Sequence, residues 1–507
     1  MVCGLKSRVV KLKFNRLRFI YQKLGSYMLY NKKMYLDGKL SEGSDHIEVF
    51  NPATEEMTGK IAGASILEAE KSLESAKRSL TTWPKTSISE RQHWMYCLRK
   101  EIIANEQSLR ECVHFEIGKP WQQTKEDFES LKNSLEFYSQ EIARFNNYSI
   151  PDRTGSHSHL ITYEPVGVVV AFISWNFPLL NLAFKLGPAL ASGCPIIIRP
   201  SELSPISAYA VGEICSKIGL PPGVVQIFSS NSYDVADYLS SSKIPSLITL
   251  IGSSTTGRHV MQQGSTSIKR YSMELGGNAP ALVLYDADLA LAANIIAALK
   301  FSNAGQICVA PNRIFVDSKV YEDFKTHIVA LAETTEVGFD KNSDIHTGPV
   351  INQKAWIRLK KLVDDAVLKG AQLLIGGDRP SNQLRGHFFS PTILSGVTDQ
   401  MQIYHEEIFG PIISLISFND EKDLTKRSNL NNDGGLVAYI FTDNEKKAEL
   451  IGRELHFGEI QINGVKYDID LPHGGIGQSG FGHDCSKLAL NDYHIVKRIS
   501  KANKYVS

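Results

Sequence analysis

The sequence predicts an α/β protein built as two parallel-sheet units in tandem, on three observations. Short, unalternating apolar runs occur at residues 167–173, 195–198, 224–228 and 247–251, separated by segments of helix length. Continuous apolar strands alternating with helices imply a parallel sheet covered on both faces. A second series follows: a run at 281–284, a helix over 288–301, a strand at 313–316, then helix, strand and helix to about residue 460. Third, the run at 247–251 leads into Gly252-Ser253-Ser254-Thr255-Thr256-Gly257 and another predicted helix. Such a turn offers unpaired helix N–H groups to a pyrophosphate, although the G-x-x-x-x-G spacing suits an ordinary turn equally well.

Outside these series, Ile66, Ala69, Leu73, Ala76 and Leu80 step by three and four, as along one helix face. Ser89-Glu90-Arg91-Gln92 predicts a capping box opening a second helix through Ile103. A long helix is predicted over 125–143, before Asn146-Asn147. Residues 149–163 alternate like a hairpin, and the tail beyond Leu488 ends in strand-like Tyr493-His494-Ile495-Val496. Neither segment buries a face alone, so each is expected to pair with the other or with another subunit.

The chain has 507 residues, a length that suggests about three domains. Lys plus Arg number 55 against 54 Asp plus Glu, which gives no electrostatic reason for a nucleic-acid partner. No apolar stretch reaches the ~18 residues of a membrane span. The seven cysteines (Cys3, Cys97, Cys112, Cys194, Cys215, Cys308, Cys485) are scattered and never form C-x-x-C. That pattern argues against a zinc ribbon and fits a reducing compartment, so a cytoplasmic location is expected. His405-Glu406 lacks the second His of a metalloprotease motif, because position 409 is Phe409, and no metal site is expected. Residues 1–33 are basic and free of acids. A targeting segment, a disordered extension and an upstream start before Met28 or Met34 all fit. Scarce Ser and the lack of a clear amphipathic period favour the extension or the upstream start.

Single residues of chemical interest recur at strand ends. Trp175-Asn176-Phe177-Pro178 follows the strand ending at Ile173, where an Asn side chain can point an N–H donor into a ligand crevice or serve as a turn residue. Met273-Glu274-Leu275-Gly276-Gly277-Asn278-Ala279-Pro280 places one carboxylate in an apolar strand. Phe301-Ser302-Asn303-Ala304-Gly305-Gln306-Ile307-Cys308-Val309-Ala310 places one thiol just past a helix. Alone, a Cys is more often a small buried hydrophobe and a Glu a surface residue.

Together these segments resemble the aldehyde dehydrogenase superfamily over about residues 34–507. The Glu274 and Cys308 segments match at the family's separation. The Asn loop, the glycine loop, Glu406-Glu407-Ile408-Phe409-Gly410-Pro411 and Pro472-His473-Gly474-Gly475-Ile476-Gly477-Gln478-Ser479-Gly480 follow in family order. The resemblance implies a Rossmann-like NAD(P)-binding domain (34–144 and 165–276), an α/β catalytic domain (277–476), and a small β oligomerisation flap and tail (145–164 and 477–507). It also implies a homodimer or homotetramer.

The implied reaction oxidises an aldehyde to its carboxylic acid. Hydride leaves a tetrahedral thiohemiacetal far more readily than an aldehyde, so Cys308 would form that adduct and then a thioester. Asn176 and the Cys308 N–H would hold the oxyanion, and Glu274 would activate the hydrolytic water. Lys185 resembles the family lysine near the nucleophile, and Asp484 an acid thought to help relay the proton. For the cofactor, the resemblance implies contacts from Ile173, Ser174, Trp175, Arg199, Ser201, Glu202, Gly252, Ser253, Gly257, Leu275, Gly276, Glu407 and Phe409. Arg199 departs from the family's usual Lys. NAD is expected, with NADP the alternative, because a carboxylate at 202 suits ribose hydroxyls and repels a 2′-phosphate.

Asp468 and Asp470 would put negative charge at the aldehyde entrance, and His473 stands where many relatives have Phe. The Pro-His-Gly-Gly form, with Lys269-Arg270 and Asp492-Tyr493, is similar to aminobutyraldehyde dehydrogenases. A small amino or hydroxy aldehyde is therefore the first expectation and a carboxylate semialdehyde the second, unless these acids simply face solvent. Three rivals stand beside this reading. CoA-acylating relatives usually lack the base that Glu274 provides. A cofactor-free cysteine hydrolase needs a His partner for Cys308. A non-catalytic structural protein would have no need of Cys308 or Glu274.

Overall fold

The computed structural model describes residues 29–429 and 434–503. The expectations for residues 1–28 lie outside them. Val168–Ile173 is buried along its whole length, so its branched side chains pack on both faces, as a parallel sheet requires. The first sheet has eight strands, in the order Lys39–Ser41, Met34–Leu36, Val225–Ile227, Ile196–Pro200, Val168–Ile173, Pro245–Gly252, Arg270–Leu275 and Gly480–Phe481. The strands from Val225–Ile227 through Arg270–Leu275 are mutually parallel. Their register sets Ile173 beside Pro200 and Ile251 beside Glu274. Their carboxyl ends therefore open on one side, where ligands bind in such sheets.

The second sheet has seven strands: Gln372–Ile375, Thr392–Ser395, Ile412–Phe418, Arg313–Asp317, Pro280–Val283, Val437–Phe441 and Glu459–Ile462. Only the Gln372–Ile375 edge is antiparallel. Its helix Leu289–Phe301 is capped by Asp288, which accepts the Leu291 N–H at 2.9 Å. A third sheet joins His494–Ala502, His157–Pro165 and Tyr148–Pro151. Its register runs from His494 opposite Pro165 to Ala502 opposite His157, so the two unpartnered segments pair with each other. Among the described residues no helix is long and apolar enough to cross a membrane.

Three expectations need correction. The helix Ile88–Ala104 is capped by Ser87, whose Oγ accepts the Glu90 N–H at 3.1 Å, two residues before the predicted cap at Ser89. The sequence holds two overlapping capping spacings. Arg91, buried and donating to the Thr86 and Ala191 carbonyls, anchors the earlier one. Second, the basic extension does not run to residue 33. Tyr30 and Lys32 lie along the strand Met57–Gly63: Lys60 N–H donates to the Tyr30 carbonyl at 2.8 Å and Ala62 N–H to that of Lys32 at 2.9 Å. The Lys32 ammonium also pairs with Glu213 at 2.6 Å. Third, Gly480–Phe481, assigned above to the flap, pairs with Arg270–Leu275 and sets Gly480 opposite Glu274.

Candidate active site

Cys308 follows a turn of uncommon backbone shape. After the helix Leu289–Phe301, Asn303, Ala304 and Gly305 have φ of 48°, 53° and 67°. A non-glycine residue held there costs about 1–3 kcal/mol and persists only where its surroundings over-determine it. Here they do. Asn303 N–H donates to Gln123 Oε1 (2.8 Å), and the Asn303 amide donates to the Asn176 carbonyl (2.9 Å). The Gln306 amide donates to the Asn303 carbonyl (2.9 Å), and its oxygen accepts from Ile351 N–H (2.8 Å). At 305 only glycine fits, because a Cβ would lie 2.3 Å from the Gly410 carbonyl oxygen. The turn so held sets a half-buried Cys308 on the wall of a cleft of about 1080 Å³.

Asn176 reaches the same point from the first sheet, in the connection from Val168–Ile173 to the helix Pro178–Ser192. Its Nδ2 donates to the Gln306 carbonyl at 3.0 Å, and its Oδ1 accepts from Asn181 at 3.3 Å. Those partners fix which end of the amide carries nitrogen. The second N–H remains for an oxygen bound near Cys308.

Glu274, buried near the end of Arg270–Leu275, comes close to the thiol. The Cys308 sulfur, a Glu274 oxygen and a ring nitrogen of His473 all lie within 4.8 Å of one another. His473 Nε2 is 3.4 Å from Glu274 Oε1, and its Nδ1 is 2.6 Å from Glu459 Oε1. Burial and the Glu274 charge push the Cys308 thiol up to about 12, against the pull of His473. Burial disfavours the His473 imidazolium. Cys308, Glu274 and Glu459 outweigh it and hold His473 well above the ordinary histidine range. His473 and Asp484 exchange backbone hydrogen bonds of 2.9 and 2.7 Å, and Asp484 accepts from Lys185 Nζ at 2.5 Å. Lys185 and Asp484 thus form a buried pair behind His473, off the cleft wall. Burial raises the Asp484 carboxyl, and Lys185 opposes that rise.

At the other end of the cleft, Gly252 and Ser253 line the wall beside Ser174, Trp175 and Gly276. Ser253 caps the helix Ser254–Gly264, its Oγ accepting the Thr256 N–H at 3.1 Å. A Cβ at Gly276 would lie 2.5 Å from Glu407 Oε2, so glycine is what admits that carboxylate. Glu407 accepts the Gly277 N–H at 3.5 Å, and burial, reinforced by Glu274, pushes its carboxyl up to about 7. Phe409, at φ 48°, meets Trp175 edge to face at 5.6 Å.

Ile173, Gly257 and Leu275 sit one layer back. A Cβ on Gly257 would meet Leu275 Cδ1 at 2.8 Å, so that glycine serves helix-on-strand packing. Arg199, Ser201 and Glu202 lie beyond the cleft wall, where Ser201 N–H donates to the Ile173 carbonyl at 3.1 Å. Arg199 donates to the Ser230 carbonyl at 3.0 Å and stands 3.6 Å from Glu202. A helix N-terminus, a glycine that makes room for a carboxylate, and an aromatic pair suit a nicotinamide dinucleotide.

The same cleft is also walled by Glu126, Glu129, Phe184, Glu459, Lys466, Tyr467 and Asp468. Asp468 pairs with Lys466 at 3.0 Å, and Asp470 is not part of the wall. The sequence reading treated His473 only as a replacement for an aromatic and missed Glu459 altogether. The available signal was a carboxylate opening the short apolar strand Glu459–Ile462.

A family model described as "Aldehyde dehydrogenase family" matches residues 40–499. The chain is 34% identical to the mitochondrial succinate-semialdehyde dehydrogenase of Arabidopsis thaliana, covering 95% of this chain and 91% of that one. It is 31% identical to the succinate-semialdehyde dehydrogenase [NADP(+)] of Escherichia coli (strain K12), over 94% of this chain and 98% of that one. In three dimensions it resembles betaine aldehyde dehydrogenase from Staphylococcus aureus in complex with NAD+. The TM-score is 0.91 at 26% identity, over 95% of this chain and 96% of that one.

Proposed function

We propose that this chain, which belongs to the aldehyde dehydrogenase family, oxidises small polar aldehydes carrying an amino or hydroxyl group, by NAD-dependent chemistry on Cys308. The observation that carries the mechanism is the Glu274 carboxylate beside the Cys308 sulfur, in a cleft that Asn176 also lines. As its sulfur bonds to the aldehyde carbon, the carbonyl oxygen gains charge beside the free N–H of Asn176 and the Cys308 backbone N–H. NAD held by Ser253, Gly276 and Glu407 would supply the hydride acceptor, and loss of hydride from that carbon would leave a thioester on Cys308. Glu274 then accepts a proton from water as it attacks the thioester, and the acid departs with Cys308 restored.

The charge of the aldehyde end supports the substrate class. Glu126 and Glu129 stand beside two ion pairs, Lys466 with Asp468 and His473 with Glu459. A second carboxylate on the substrate would enter an acidic vestibule, whereas an ammonium or hydroxyl would find acceptors. Several relatives are named for succinate or glutarate semialdehyde, and these make the direct comparison. Catalytic efficiency for 4-aminobutanal is expected to exceed that for succinate semialdehyde by at least about tenfold. The opposite ranking would move this chain to the semialdehydes.

For the cofactor, Arg199 is turned inward onto the Ser230 carbonyl and Glu202, which takes up much of its attraction for a phosphate, while Glu202 remains a hydrogen-bond acceptor for ribose hydroxyls. That supports NAD over NADP. A homodimer or homotetramer is supported by the third sheet, where Tyr148, Ile150, Leu160, Val496 and Ile499 are all exposed. A cytoplasmic location rests on cysteine usage: Cys97, Cys112, Cys194, Cys215, Cys308 and Cys485 are all free thiols.

A further inference from the structure

Three ligand types that zinc favours meet at one point of the cleft. The Cys308 sulfur, a Glu274 carboxylate oxygen and a ring nitrogen of His473 lie within 4.8 Å of one another. Zinc holds a thiolate at about 2.3 Å and an imidazole or carboxylate at about 2.0–2.2 Å, so tetrahedral neighbours stand roughly 3.3–3.6 Å apart. His473 Nε2 and Glu274 Oε1 already stand 3.4 Å apart. The sulfur needs to approach them by about 1.2 Å at most, the scale of a partial side-chain rotation.

Two further features point to a cation. Glu274 is 4% exposed, and its Oε1 accepts no hydrogen bond from the described residues. On the other side of the imidazole, His473 Nδ1 is held by Glu459 Oε1 at 2.6 Å. A carboxylate on the far nitrogen is how zinc-binding histidines are usually oriented, and it leaves Nε2 for the metal. In the resting enzyme the same two carboxylates keep a proton on that ring. A dication at this spot satisfies the same negative charges and takes the proton's place. The ligands come from three distant segments, so no spaced metal motif marks the site in the sequence.

We propose that Glu274, Cys308 and His473 form a binding site for a zinc ion that switches the enzyme off reversibly, with Glu459 orienting the imidazole. All three ligands line the cleft, which leaves the fourth tetrahedral position to water. Thiolate and imidazole select zinc over magnesium or calcium, which take oxygen ligands at higher coordination number. On binding, the sulfur, Nε2 and a carboxylate oxygen replace waters of the hydrated ion. The thiol proton and the imidazolium proton leave to solvent, and no electrons are exchanged. A chelator that removes the ion lets both protons return and frees the groups again. While zinc is bound, the sulfur cannot attack an aldehyde and Glu274 cannot take a proton from water. That loss of activity rests on Cys308 being the nucleophile, as proposed above, whereas the binding does not.

The test is equilibrium dialysis of the full-length enzyme against zinc chloride in chelator-buffered solutions, with bound zinc measured by atomic absorption. Wild type is expected to hold one more zinc ion per subunit than Cys308→Ala. An exposed thiol such as Cys97, 3.6 Å from His93, contributes equally to both and cannot supply that difference. Glu459→Gln, which removes no ligand, should weaken the binding by about 10–100-fold. Glu274→Ala and His473→Phe, which do remove ligands, should weaken it by more. Melting curves identify any variant that has simply unfolded, and two readouts need no variant at all. Cobalt(II) added to wild type should give an intense near-ultraviolet thiolate-to-metal band, and zinc should protect the Cys308 peptide from iodoacetamide. Zinc should also inhibit competitively against the aldehyde, with activity restored by a chelator. Equal zinc content in wild type and Cys308→Ala, with no cobalt–thiolate band and no protection, would overturn the proposal. Zinc bound and Cys308 protected while turnover continues unimpaired would instead overturn the reading of Cys308 as nucleophile, so the two failures are told apart.

Discussion

The part of the cleft proposed for the cofactor is shaped largely by strand ends and a helix cap, whereas the part proposed for the aldehyde is lined by side chains from several elements. The first end is made from a strand end at Gly252, the Ser253 cap and its helix, and Gly276 leaving room for Glu407. The second gathers Glu126 and Glu129 from one helix, Phe184 from another, Glu459 from a strand, and the stretch from Lys466 to His473. The difference separates what the backbone fixes from what side chains alone set. Backbone geometry tolerates few residue types, because a Cβ at 276 or 305 would collide. Acidic side chains around a vestibule can be exchanged without moving a strand.

If the two ends are separate in this way, substitutions should separate them too. Cys308→Ala has the largest expected effect: dehydrogenase turnover should fall by about a thousandfold or more, because the covalent step has no substitute. NAD affinity by fluorescence titration should stay within about twofold, since uniform cofactor binding does not involve the sulfur. Residual turnover above a tenth of wild type would point to another nucleophile. Glu202→Ser comes next. The wild-type ratio of catalytic efficiencies should favour NAD, and the variant should shift it toward NADP by about tenfold, with the KM for the aldehyde unchanged. A wild-type preference for NADP would mean that Arg199 dominates, and an unmoved ratio would show that Glu202 does not face the ribose.

The smallest effect concerns neither end. A chain beginning at Leu29 keeps the contacts of Tyr30 and Lys32, whereas one beginning at Met34 loses three backbone hydrogen bonds along Met57–Gly63 and the Lys32–Glu213 pair. At about 0.5–1.5 kcal/mol net per bond, the shorter chain should melt a few degrees lower. Activity at low temperature should be preserved in both. Equal melting temperatures would show that the segment adds nothing to the body.

The same contrast explains how much could be read before the structure. Strands buried on both faces announce themselves as unbroken apolar runs, so the parallel sheets and their order along the chain were legible, as were the motifs around Asn176, Glu274 and Cys308. Legibility stopped at pairings made across long separations. Nothing local marks Glu459 as the partner of His473, fourteen residues on. Nor does anything mark Gly480 as a strand residue facing Glu274. Tyr30 and Lys32 were misassigned because a basic composition does not show that their backbone pairs with a strand. Lys185 and Asp484 were found as individual residues. That they bond to each other, 299 positions apart, is information that only the fold contains.

The division of labour around Cys308 is tested most directly by Glu274→Gln, which keeps shape and removes the base. Enzyme, NAD and a slight excess of aldehyde are mixed rapidly, NADH is followed by absorbance, and the protein is quenched for mass measurement. One equivalent of NADH should appear in a burst and then stall, with the acyl group found on the Cys308 peptide, because hydride transfer precedes the step that needs Glu274. Steady turnover near the wild-type rate, with no acyl group on Cys308, would contradict it.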